Sequence, residues 1–272
     1  MLPIFNALLL ATEHGEFDTG AERIAFALAK KFDVPLAVVL PLVSNPEYEA
    51  LVPQLAAKAE QVAASKIQEL QSQAQSEGLA LAVRVRRGEE PYQEILEEAK
   101  FQQSNLIVIR RRGKRGFLAN LLIGEMVSKV VAHSPCHVLI APRQAAMWSH
   151  HILVAAEPTE RGLELVRAAL TVAQRCNLLL SIVTVVPAQE LRGKADEFMA
   201  NTLREIQESG LNAQGEVRVG NPYSEILACR ESKNADLIVI GKSNNQIGRA
   251  HIGSVAQKII GLAEFPVLVL HS

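Results

Sequence analysis

The sequence predicts an α/β protein of two tandem doubly wound domains, each a five-stranded parallel sheet with helices on both faces. Three observations carry this reading. The 272-residue chain repeats itself at a period close to half its length. Within each half, short continuous apolar runs alternate with longer stretches of helical spacing, the pattern of βαβ units around a buried parallel sheet. Apolar residues make up 49% of the chain but aromatic ones only 4%, so the core is aliphatic, as buried parallel strands require.

The repeat can be read directly. Residues 88–109 run GEEPYQEILEEAKFQQSNLIVI and residues 220–240 run GNPYSEILACRESKNADLIVI. Pro91-Tyr92, Glu94-Ile95-Leu96 and Ile107-Val108-Ile109 recur as Pro222-Tyr223, Glu225-Ile226-Leu227 and Ile238-Val239-Ile240, all 131 positions on. Gly124 and Val138-Leu139-Ile140 recur 129 positions on, as Gly253 and Val267-Leu268-Val269. At the start of each copy, residues 8–13 (LLLATE) match residues 152–157 (ILVAAE). A period of this size is too long for a solenoid unit and marks two copies of one domain.

The elements follow in order. Residues 6–12 are a continuous apolar run and read as a strand buried on both faces. Asp18-Thr19 can cap a helix over 19–32, with Ile24, Ala25, Leu28 and Ala29 on one face. A strand is expected over 35–43, then a long helix over 47–76 with Leu55, Ala59, Val62, Ile67, Leu70 and Ala74 near helical spacing. A strand (80–86), a helix (91–103), a strand (105–109), a helix (121–133) and a strand (136–141) complete the copy, and the second repeats it over 151–271. The domains are thus expected at 1–143 and 150–272. Residues 144–149, in a stretch without helical or alternating pattern, form the linker.

Composition narrows the function. The chain carries 28 basic and 29 acidic residues, a net charge of −1, which argues against a chain built to grip nucleic acid or an anionic membrane. Cys136, Cys176 and Cys229 form no CxxC pair and no even set, so neither a disulfide framework nor a Cys-rich zinc site is expected, and a reducing cytoplasm fits. The apolar runs fall short of the roughly 18 residues of a spanning helix, so no membrane insertion is expected. The N-terminal apolar stretch lacks a preceding basic region and reads as a strand, not a signal peptide.

In an open parallel sheet the ligand crevice lies beyond the carboxyl ends of the strands, where strand order reverses. The informative residues therefore follow the first and fourth strands. After the fourth strand of the second copy comes Gly241-Lys242-Ser243-Asn244, and Gly253-Ser254 then opens a helix. Small residues let backbone approach a phosphate, and a helix N-terminus offers it unpaired N–H groups. The bland alternative is an ordinary strand-to-helix loop with a glycine turn.

With these residues in view, the chain resembles a tandem universal stress protein, a family of the adenine nucleotide α-hydrolase-like fold. The resemblance covers nearly all of both copies. It implies a Gly-x2-Gly-x9-Gly-(Ser/Thr) loop after the fourth strand that holds ATP phosphates, and an Asp ending the first strand, where this chain has Glu13 and Glu157, each one methylene longer. In the second copy it implies ATP or AMP contacts from Glu157, Val185, Gly241, Asn244, Gly253 and Ser254. Asn244 stands where the second glycine belongs, and the spacer is one residue short. In the first copy the corresponding residues are Glu13, Gly113 and Gly124. There Arg110 replaces the first glycine, and Glu125 replaces the Ser/Thr and opposes a phosphate at the same helix start. Pro41, near the end of the second strand, has no N–H to lend to an adenine. Nucleotide is therefore expected mainly in the second domain. The resemblance also implies pairing of the two domains as an intramolecular pseudo-dimer, with a homodimer as a further assembly.

The run Arg110-Arg111-Arg112-Gly113-Lys114-Arg115 is the densest charge cluster. It reads as a substitute anion grip, as a docking patch for an acidic partner, or as a solvated loop. No interleaved aromatics support nucleic acid binding. Gly241-Lys242-Ser243 is not a P-loop, because strand core precedes it. No His-Glu-x-x-His occurs, no metal is required, and His150-His151 read as surface residues beside the linker. Tyr92 and Tyr223 recur at a helix start and read as packing residues, and Cys136 and Cys229 as small core hydrophobes. Two functions remain: a non-enzymatic, nucleotide-responsive stress regulator with at most slow ATP hydrolysis, or a nucleotide-independent interaction module for a protein partner such as a transporter.

Overall fold

The computed structural model describes residues 5–13, 15, 18–44, 53–111, 124–242 and 252–271. They fall into two compact units that divide between Met147 and Trp148. In the first unit, strands β1 (Leu8–Ala11), β2 (Leu36–Val43), β3 (Leu81–Gly88), β4 (Leu106–Arg110) and β5 (His137–Ala141) are all parallel, in the order β3-β2-β1-β4-β5. In the second, β6 (His151–Ala155), β7 (Leu179–Val186), β8 (Gln214–Val219), β9 (Leu237–Gly241) and β10 (Val267–Leu270) repeat it as β8-β7-β6-β9-β10. The mixed α/β class with parallel strands flanked by helices is thus the one expected from the apolar runs.

Register ties the two copies together. Ala11 pairs with Val39 on one side and Ile109 on the other, and Ala155 pairs with Val183 and Ile240 in the same way. Strand order reverses at β1/β4 and at β6/β9, so each unit has its crevice there, at the carboxyl ends. One residue beyond Ile109 and Ile240 stand Arg110 and Gly241, at equivalent positions.

The helices are α1 (Thr19–Phe32), α2 (Pro53–Glu77), α3 (Pro91–Phe101) and α4 (Glu125–His133) in the first unit. The second has α5 (Glu160–Cys176), α6 (Arg192–Glu208), α7 (Pro222–Lys233) and α8 (Ser254–Leu262). Helix α1 buries Ile24, Ala25, Leu28 and Ala29, the face expected from their spacing. It ends on Asp33 in the left-handed region (φ 52°), and α5 ends the same way on Asn177 (φ 55°). Short polar side chains tolerate that conformation, which closes the helix.

Some expectations fail, for physical reasons. Helix α2 turns Ala63, Lys66, Leu70 and Ala74 inward, while Leu55 is exposed. The stripe includes a lysine because Lys66 Nζ finds Glu22 Oε2 at 2.9 Å. Strand β3 runs two residues beyond the expected end, because its pairing with β2 continues to Val43 and Gly88. The expected extensions of α2 before residue 53 and of α4 before residue 124 lie largely outside the described residues.

Candidate ligand crevices at the carboxyl ends of the sheets

The second unit opens a cavity of about 640 Å³ at its crevice, within the size range of small-molecule and cofactor sites. Glu157, Val185, Gly241, Gly253 and Ser254 all line it. Asn244 lies outside the described residues. Gly241 ends β9, where among the described residues a Cβ would meet only Leu165 Cδ2 at 3.5 Å. An alanine is tolerated there, whereas a long side chain would enter the cavity. Gly253 is the N-cap of α8 and Ser254 its first residue, so the unpaired N–H groups of that helix start face the cavity end.

Three features of this wall were not anticipated. Thr159 caps α5, accepting a hydrogen bond on Oγ1 from the Gly162 N–H at 3.1 Å. Gly162 must be glycine, since a Cβ would lie 1.9 Å from the Glu157 carbonyl oxygen. This tight turn brings the start of α5 against the end of β6. The Thr-x-x-Gly spacing after the first strand was the available signal. Lys242 and His271 also line the cavity, and the Lys242 N–H donates to the Leu270 carbonyl at 3.1 Å, tying β9 to β10. Desolvation lowers Lys242 below the ordinary lysine value. It also lowers His271, with the Lys242 charge adding to the effect. Burial of this wall therefore disfavours the protonated forms of both groups.

The corresponding corner of the first unit holds charges of its own. The Arg110 guanidinium, 5% exposed, pairs with Glu13 at the end of β1 and with Asp18 at 3.3 Å. Asp18 is fully buried and accepts the Gly15 N–H at 2.9 Å. It precedes α1 without a side-chain capping bond to the helix, because its carboxylate is turned to Gly15 and Arg110. Burial pushes its carboxyl above the ordinary value, with Arg110 and the Gly15 N–H pulling the other way. Beside it Thr12 Oγ1 donates to Glu22 Oε1 at 2.7 Å, and Lys66 holds the other oxygen. Arg110 is therefore not part of a solvated loop or a docking patch, because buried Asp18 and part-buried Glu13 claim it. Gly113 and Arg112 to Arg115 lie outside the described residues. Gly124 is the N-cap of α4, with Glu125 in its first turn.

Elsewhere, His151 is buried in β6 and bonded to Ser181 Oγ at 2.9 Å, contrary to its reading as a surface residue. Cys229 is buried in α7, and desolvation pushes its thiol up to about 11, which makes it an inert core thiol. Tyr92 and Tyr223 each face a lysine ammonium, Lys129 at 5.0 Å and Lys258 at 4.4 Å, a cation–π pair repeated in both copies. Among the described residues, no group of three or more His, Cys, Asp or Glu is placed to hold a metal. No described helix is long and apolar enough to cross a membrane.

The chain is similar to known proteins over both units. A universal stress protein of Methanocaldococcus jannaschii is 35% identical over 81 residues, 29% of this chain and 48% of that protein, so the match spans about half of that relative's length. A universal stress protein of Synechocystis is 27% identical over 147 residues, 44% of this chain and 96% of that one. The crystal structure of a universal stress protein from Archaeoglobus fulgidus shares the fold across 98% of both chains, at 21% identity and a TM-score of 0.77. The cytoplasmic domain of a prokaryotic cation chloride cotransporter shares it over 98% of this chain and 95% of that one, at 13% identity and a TM-score of 0.54. The model of the universal stress protein family matches twice, over residues 5–142 and 149–271, and the chain belongs to that family.

Proposed function

We propose that the chain is a cytosolic, non-enzymatic stress-response regulator that binds ATP or AMP in its second unit and passes that state to a protein partner. The observation that carries this reading is the cavity beyond β6 and β9. Its walls hold Glu157, Val185, Gly241, Gly253 and Ser254 together, the residues that the family resemblance assigned to the nucleotide; Asn244 is assigned to the same site. Lys242 and His271 on the wall suit an anion, and the small residues at 241 and 253 leave room for one. ATP supplies the charged phosphates that such a wall recognises, and hydrolysis is not required.

Calorimetric titration of ATP and AMP into the full chain tests the proposal, with phosphate release followed on the same sample. Saturable binding with release at the uncatalysed background is expected. Absence of heat at millimolar ATP would refute it. One observation favours a second reading, a nucleotide-independent interaction module. The first unit keeps the fold while the corresponding corner holds charges of its own. The same titration separates the two readings, because a pure interaction module gives no heat with either nucleotide.

A further inference from the structure

We infer that the first unit is a self-plugged copy, in which Arg110, held by Glu13 and Asp18, occupies the crevice that the second unit leaves open, so that the chain takes one nucleotide and not two. The inference rests on the proposed site for its stoichiometry. The plug itself stands on the geometry of the first unit.

The two copies differ at matched positions in a coordinated way. Strand register sets Arg110 against Gly241 and Glu13 against Glu157. The spacing of 144 positions that relates the helix ends Asp33 and Asn177 sets Asp18 against Gly162 in sequence, with α5 starting three residues earlier than α1. The cation and its buried anion are thus both glycine in the second unit. A guanidinium that loses its hydration shell needs carboxylate partners, and two are present. Around it the described side chains carry two more negative than positive charges: Arg110 faces Glu13 and Asp18, while Lys66 faces Glu22 and Glu69. A nucleotide phosphate entering there would have to displace two carboxylates from one guanidinium and then face them. Glu125 at the start of α4 is exposed and paired with Lys129 at 2.9 Å, so it adds little to that cost. Among the described residues, Asp18 Oδ1 and Arg110 Nε have no hydrogen-bond partner, so the pair satisfies charge more fully than hydrogen bonding.

Two measurements on the full chain test this. Equilibrium binding of ATP is compared between the wild type and Ser254→Glu, which closes the second site. One ATP per chain is expected in the wild type, and binding about a hundredfold weaker in the variant. Two per chain in the wild type, or one still bound at wild-type affinity by a folded Ser254→Glu protein, would overturn the plug. The second measurement needs no ligand, and so decides the plug even if the wild type binds nothing and the proposed function fails. Thermal midpoints are taken at neutral pH for Arg110→Met, Asp18→Asn and the double variant. Arg110→Met leaves two carboxylates facing each other and is expected to fall by roughly 5–10 °C, and the double variant to regain most of that loss. Additive losses would show that Arg110 and Asp18 are not coupled and would overturn the inference.

Discussion

Replacing Ser254 by Glu writes into the second unit the residue that opens α4 in the first. The backbone accepts it: Gly253 has φ −56° and ψ 146°, Gly124 has φ −57° and ψ 141°, and Ser254 is exposed. For the helix the change is favourable, since a carboxylate in the first turn contributes about 0.3–1 kcal/mol. For an anion in the cavity the sign reverses. Two unit negative charges about 4 Å apart repel by about 4 kcal/mol at the effective dielectric of a protein surface, against about 1 kcal/mol in bulk water. The cavity mouth lies between those limits. At roughly 1.4 kcal/mol per tenfold change, ATP affinity should fall by about a hundredfold. The assay is ATP calorimetry beside thermal melting of the same sample, with Ser254→Gln as the neutral control. The account requires a melting temperature unchanged or slightly raised, affinity lost in the Glu variant and near wild type in the Gln variant. A folded Ser254→Glu protein that binds ATP as tightly as wild type would refute the placement of the site.

Gly162→Ala puts a methyl 1.9 Å from the Glu157 carbonyl, so it should shift the start of α5 and weaken both folding and ATP binding, read by a urea midpoint and a titration. Glu98 is fully buried in α3, accepting from Arg86 Nε and Gln102 Nε2 at 2.6 Å each; Glu98→Ala should cost about 3–5 kcal/mol in urea unfolding and leave ATP affinity unchanged. Burial holds His151 below the ordinary histidine value, so the stability it contributes is present above about pH 6.5 and lost as pH falls through its folded value. The urea midpoint should therefore drop between pH 7.5 and 5, and His151→Gln should flatten that drop. At the cavity, a bound phosphate favours the protonated forms of Lys242 and His271, so ATP should bind more tightly at pH 6 than at pH 8, with the difference reduced in His271→Gln.

The fold was legible because it rests on local signals. Apolar runs mark the strands, the Pro-Tyr…Glu-Ile-Leu block recurs at a constant spacing, and α1 shows its buried face in its own periodicity. Much of the proposed site was legible for the same reason, since the loops after the first and fourth strands of a doubly wound sheet are known before any coordinate. What stayed hidden were pairings across long sequence distances. Arg110 looked like part of a solvated basic run because its partners lie 97 and 92 residues away, at Glu13 and Asp18. Lys66 broke the expected stripe of α2 because Glu22, 44 residues earlier, neutralises it. His151 is buried because Ser181 on the neighbouring strand accepts or donates its bond. In each case a polar residue is inside because specific partners are there, and periodicity carries no information about partners.

The central claim, that nucleotide is held by the second unit and excluded from the first, is tested most directly by photolabelling the full chain with an azido-adenine analogue of ATP and mapping the modified peptides. The account predicts label on peptides from β7 and from the β9–α8 region, suppressed by unlabelled ATP, and none on peptides carrying Glu13 or Arg110. ATP-suppressible label on the first unit, or no suppressible label anywhere, would contradict it.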